Sequence, residues 1–175
     1  KNIFNVYEGI LDDDDKVQTK VDRPTLTPEF LRKFFKEHPV DGINTTYGMN
    51  LYLNDDQKLI LDLRFTPTVV FTYDLPSFMK IDEIYDKVDY EIIIEDGVTT
   101  LSFLPDVIDG RLSIENCNTL KDFGSIKQVN ALMVKNSNLK SLRGLPKSKA
   151  FTRFINSGDW DEKQIARFSG TPKSK

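Results

Sequence analysis

Val129-Asn-Ala-Leu132-Met-Val134-Lys-Asn-Ser137-Asn-Leu139 is the stretch that decides how this chain folds. Its apolar residues alternate through Leu132 and Val134, as in a short strand with one buried face. A polar Lys-Asn step follows, and Ser137 and Leu139 resume the inward pattern. The same passage occurs earlier as Leu112-Ser-Ile114-Glu-Asn116-Cys117-Asn118 and later as Thr152-Arg-Phe154-Ile-Asn156-Ser157-Gly158. From Leu112 to Leu132 to Thr152 the step is 20 residues each time. One further period back reaches Ile92-Ile-Ile94-Glu-Asp96-Gly97-Val98. A period in this range predicts stacked supersecondary units, none of which buries its apolar face alone.

Downstream of each strand the units carry more apolar residues: Leu101 and Leu104-Pro105, then Leu120 and Phe123, then Leu142 and Leu145-Pro146. The whole pattern resembles the leucine-rich repeats, whose signature is L-x-x-L-x-L-x-x-N/C-x-L. The stretch from Val129 to Leu139 meets it at every apolar position. Cys117 occupies the Asn/Cys slot, so the only cysteine reads as a buried repeat residue. Ser137 and Ser157 depart from the family in that slot, and Thr119 displaces the leucine of its unit by one. In the last unit Thr152 and Phe154 replace the aliphatic pair, as expected where a terminal unit closes the core. The resemblance implies an α/β chain: a short leucine-rich-repeat-like β-solenoid of about 20-residue units. A small α+β region precedes it and a C-terminal helix caps it.

Working outward, Thr27-Pro28-Glu29 is a helix start, with a capping Thr, Pro at the first position and an acid in the first turn. Phe30, Leu31, Phe34 and Phe35 follow at helical spacing, and Pro39 ends the helix near Glu37. Residues 39–50 read as a loop. Residues 51–53, 59–65 and 69–73 alternate as three short strands. Residues 76–86 read as irregular, or as holding one or two helical turns around Phe78 and Ile81. Beyond the last unit, Asp159-Trp160-Asp161-Glu162 opens the predicted cap, with Trp160, Ile165 and Phe168 packing over the final coil. The expected divisions are 1–26 (N-terminal helix and acidic arm), 27–87 (α+β region), 88–168 (capped solenoid) and 169–175 (disordered tail).

Residues 2–11 carry Phe4, Tyr7 and Leu11 at spacings of three and four, which suits an amphipathic helix able to dock in a partner's groove. The run Asp12 to Asp15 should end that helix, because carboxylates oppose its C-terminal dipole. The segment Asn2-Ile-Phe4-Asn-Val-Tyr7-Glu8-Gly9-Ile10-Leu11-Asp12-Asp13 resembles the opening of proteins from bacteriophages and prophages of Bacteroides-type bacteria. Leu139-Lys-Ser-Leu142-Arg-Gly144-Leu145-Pro146 likewise resembles phage leucine-rich-repeat proteins. That resemblance implies an origin and carries no activity.

A formal charge of -3 over 175 residues, with lysines and carboxylates interspersed, gives no basic stripe for nucleic acid. One cysteine excludes an intrachain disulfide and a cysteine-rich metal site. No apolar run reaches membrane-span length and no signal-like segment follows Lys1. The expectation is a soluble, non-secreted protein of the host cytoplasm or a virion, with a protein partner or virion assembly and no cofactor, metal, nucleic acid or membrane.

No catalytic constellation stands out. His38 is the only histidine and has no orienting partner in the sequence. The aspartate run lacks the alternate spacing and glycine turn of a calcium loop. A carboxylate-dependent hydrolase or nuclease would need Asp62, Asp74 or Glu91 to meet His38 in one cleft. An inhibitor that sequesters a host protein, its acidic arm mimicking an anion, is a further alternative. The favoured site is the strand face opposite the buried pairs, since alternate residues point to opposite sides. It holds Glu91, Ile93 and Glu95; Arg111, Ser113 and Glu115; Ala131, Met133 and Lys135; Phe151, Arg153 and Ile155. Among these, Ile93, Arg111, Met133, Phe151 and Arg153 are the expected contacts. Two arrangements stay open: the face is free for a partner, or the N-terminal β-rich region folds back and makes it core.

Overall fold

The computed structural model describes residues 25–46 and 48–169. Helix α1 (Pro28–Glu37) begins as expected, the Thr27 hydroxyl accepting the Phe30 amide at 3.1 Å. Its buried stripe is Leu31, Phe34 and Phe35, and it closes where the His38 amide donates to the Phe34 carbonyl.

Strands β1 (Leu51–Leu53) and β2 (Leu59–Asp62) form an antiparallel hairpin. Its turn is fixed by Asn54, whose side chain accepts the Lys58 amide at 2.9 Å. Strand β2 stops at Asp62, short of the expected Phe65, because Arg64 folds back onto the Asp62 carboxylate. Strand β4 (Glu83–Tyr85) pairs with β2 in parallel and completes a three-stranded sheet. Of the two readings of residues 76–86, the irregular one holds as far as β4, with no helical turn around Phe78 or Ile81. The Ile81 amide is bound instead to the Phe103 carbonyl, which draws the segment out toward β4.

Strand β3 (Thr68–Phe71) leaves that sheet and opens another. It pairs in parallel with β5 (Glu91–Ile94), followed by β6 (Val107–Glu115), β7 (Gln128–Lys135) and β8 (Lys147–Ile155). The result is a β-solenoid of about five coils, one more than the four units read from the repeat. The register is the one the repeat demands: Ile92, Leu112, Leu132 and Thr152 lie side by side, as do Ile94, Ile114, Val134 and Phe154. Val69 and Phe71 extend the two rows by one strand.

From Val69 to Leu132 and from Phe71 to Val134 these inward rows are fully buried. Each such side chain contributes roughly 1.5–3 kcal/mol. One continuous core joins them to α1 and the three-stranded sheet.

The last three coils then turn at an asparagine. Asn116, Asn136 and Asn156 have φ of 49°, 49° and 48°, a left-handed conformation that Asn tolerates better than most residues. The next residue points inward and links the coils. The Ser137 hydroxyl accepts the Cys117 amide at 3.0 Å, and the Ser157 hydroxyl accepts the Ser137 amide at 3.1 Å. Serine thus supplies the acceptor in this inward slot. A thiol accepts weakly, and Thr119 takes over where Cys117 stands. Its hydroxyl accepts the Gly97 amide at 2.8 Å and donates to the Val98 carbonyl at 2.8 Å. Cys117 itself is buried.

Helix α2 (Glu162–Ser169) is started by a reciprocal cap in which Asp161 and Gln164 bond each other's amides. Ile165 packs against the core. Phe168, expected beside it, is 44% exposed, one turn beyond that contact and under the Arg167 guanidinium. The helix includes Ser169, so the expected tail begins one residue later, and 170–175 lie outside the described residues. Among the described residues no helix is long and apolar enough to cross a membrane.

Candidate functional site

The outward face of the parallel sheet consists of three rows set by strand register. One row is Thr68, Glu91, Arg111, Ala131 and Phe151. The next is Val70, Ile93, Ser113, Met133 and Arg153, and the third is Glu95, Glu115, Lys135 and Ile155. The structure therefore brings Ile93, Arg111, Met133, Phe151 and Arg153 onto one surface. Phe4, Tyr7 and Leu11, with the acidic run, lie outside the described residues.

Exposure along the face is uneven. Arg111 and Arg153 are exposed, while Ile93, Met133 and Phe151 are half-buried. Ser113 and Ala131 are buried, against the expectation from strand alternation. Both are small and sit under longer neighbours: the Ser113 hydroxyl donates to the Glu91 carboxylate, and Arg111 lies 3.9 Å from the same carboxylate. Across the N-terminal ends of the strands runs a groove of about 340 Å³, bordered by Thr68, Glu91, Arg111 and Phe151. Its floor requires Gly110, because a Cβ there would collide with the Tyr90 ring and carbonyl. Burial raises the Tyr90 hydroxyl well above its ordinary pKa, so this wall is neutral.

The N-terminal region adjoins the end of the sheet. Asp41 forms an antiparallel bridge to Val70, and α1 packs on β1. Glu95, Glu115, Lys135 and Arg153 form no ion pair among the described residues. The Arg153 guanidinium stands 5.3 Å from the Phe151 ring centroid.

The carboxylates required for hydrolysis are each engaged elsewhere. Asp62 is gripped by Arg64 at 2.6 Å, and that hydrogen bond holds its carboxyl below the usual carboxylate range. The neighbouring Tyr52 hydroxyl is raised, first by burial and then by the Asp62 charge. Asp74 accepts the Thr99 amide at 2.7 Å and the Thr100 amide at 3.2 Å, joining two coils. Glu91 is held by Ser113, and the His38 ring stands 5.0 Å from the Phe34 ring. Among the described residues no group of three or more His, Cys, Asp or Glu is placed to hold a metal ion.

Sequence reasoning missed Tyr90, Gly110 and Lys149, the last pairing with Asp109 at 3.4 Å. A glycine inside the β6 segment was the available sign of a close approach. Comparison of the chain with protein-family models, curated proteins and solved structures finds no match.

Proposed function

We propose that this chain is a non-enzymatic interaction protein of phage type that binds a protein partner through the outward face of its solenoid. The observation that carries this reading is the face itself. It is a regular surface across several strands with four charges outside any described ion pair and half-buried Ile93, Met133 and Phe151 between them. An apolar centre rimmed by charge fits a protein surface better than a small polar substrate. The separate engagements of Asp62, Asp74 and Glu91 favour binding over hydrolysis. Residues 2–11 supply a second anchor in this reading, with Phe4, Tyr7 and Leu11 docking into a virion component.

The test is site-specific photo-crosslinking in the native host, with the reactive residue at Met133 or Arg153 and a control at Asp55 in the β1–β2 turn. Adducts to one protein from Met133 and Arg153, and none from Asp55, are expected. Equal labelling from Asp55, or none from the face, overturns the proposal.

A further inference from the structure

The outward face is sorted by charge along the solenoid axis. On the face, Glu91 opens β5 and Glu95 follows its end, Arg111 and Glu115 balance on β6, and Lys135 and Arg153 make β7 and β8 positive. A surface negative at one side and positive at the other is complementary to a copy of itself turned through 180°. Isologous dimers are built on surfaces of this kind.

We infer that the partner this face fits is a second copy of the chain, paired face to face about a two-fold axis parallel to the strands and lying between β6 and β7. This rests on the reading of the outward face as a protein-binding surface. The axis lays β5 on the second copy's β8 and β6 on its β7. Glu115 then opposes Lys135 twice, once on each side of the axis. Glu91 and Glu95 lie over the strand that carries Arg153 and Phe151, and Phe151 meets the groove bordered by Glu91 and Arg111. The other in-plane axis, perpendicular to the strands, would set β5 on β5 and β8 on β8, like charge on like charge. Charge complementarity thus selects one orientation.

Four strands at about 4.8 Å spacing, each showing two or three outward residues, give a footprint of roughly 20 by 15 Å. That is well below the ~800 Å² per partner of a standard interface, so the pairing belongs to the weak, salt-sensitive class.

Sedimentation equilibrium on the full chain tests it with two paired substitutions, Glu95→Lys with Glu115→Lys, and Lys135→Glu with Arg153→Glu. The wild type is expected to dimerise, more weakly by about tenfold or more between low and high salt. Each variant alone should lose about tenfold or more in self-association, while an equimolar mixture of the two should regain the wild-type affinity within a few fold. Circular dichroism and thermal midpoints matching the wild type show that both variants are folded. A mixture that does not reassociate overturns the inference, as does a wild-type dimer indifferent to both variants. A chain monomeric at all concentrations overturns it too; adducts from Met133 to another protein would then show that the face binds something else.

Discussion

The two ends of the parallel sheet are closed by different means. At the β3 end the backbone itself makes the seal: Asp41 bridges Val70, with the Val70 amide donating to the Asp41 carbonyl at 2.9 Å. Gly42 lets the chains approach so closely that a Cβ would strike the Thr68 carbonyl and the Val69 Cα. Behind it Val69 and Phe71 are fully buried, and the Phe71 ring meets Phe103 at 5.0 Å. At the β8 end an eight-residue helix covers the last coil, Phe154 and Thr152 stay half-buried, and Ile155 is 37% exposed. In a stack of coils each layer gains most of its stability from its neighbours. The difference therefore implies a gradient, with opening starting from β8 and reaching β3 last.

The sharpest way to break this comparison is to remove one ring from each end. Phe71→Ala should cost about 3–5 kcal/mol in urea unfolding. Phe154→Ala, half-buried to begin with, should cost roughly half as much. Equal costs would show that the two ends are equally well sealed.

The serine ladder comes next. Ser137→Ala removes the acceptor of the buried Cys117 amide and should cost about 1–3 kcal/mol by the same measurement. A loss below that range would mean water replaces the hydroxyl. Smaller still is the exchange between Cys117 and Thr119. Thr119→Val should cost about 0.5–1.5 kcal/mol, and less when Cys117→Ser restores a hydroxyl to the ladder. A double-mutant cycle should give a coupling of about 0.5 kcal/mol or more, and additivity would deny that Thr119 substitutes for the missing acceptor.

The smallest effect concerns pH. Asp62 titrates below its unfolded value because Arg64 binds it, so its contribution is complete above that unfolded value, near pH 4. It is lost as pH falls through the folded value. Asp62→Asn should flatten the acid limb of the stability curve slightly, since Arg64 is well exposed.

The repeat made much of this fold legible because its period fixes register. Once Leu112, Leu132 and Thr152 are aligned, strand pairing, the asparagine turn and the inward slot all follow. Strand β3 was read as a strand, but its place in the solenoid was hidden by spacing: Val69 lies 23 residues before Ile92, and the interval contains β4 in place of an ordinary coil. Three residues, Glu83-Ile84-Tyr85, are too few to declare a strand by alternation. On the face, alternation placed every residue on the correct side. It could not tell that Ser113 and Ala131 would be covered, since burial there depends on the reach of Glu91 and its neighbours. Phe168 obeyed helical spacing, but where an eight-residue helix sits on its coil is a tertiary matter.

The central claim is that the inward rows hold the solenoid together while the outward face is left for binding. The most direct test is Met133→Asp with Arg153→Asp in one chain carrying a photo-crosslinker at Arg111, with thermal midpoint and adduct yield read from the same samples. Exposed or half-exposed positions away from the core should change stability by no more than about 0.5–1 kcal/mol. The account predicts an almost unchanged midpoint and loss of the adduct. A midpoint that falls together with the adduct, or an adduct that persists, would contradict it.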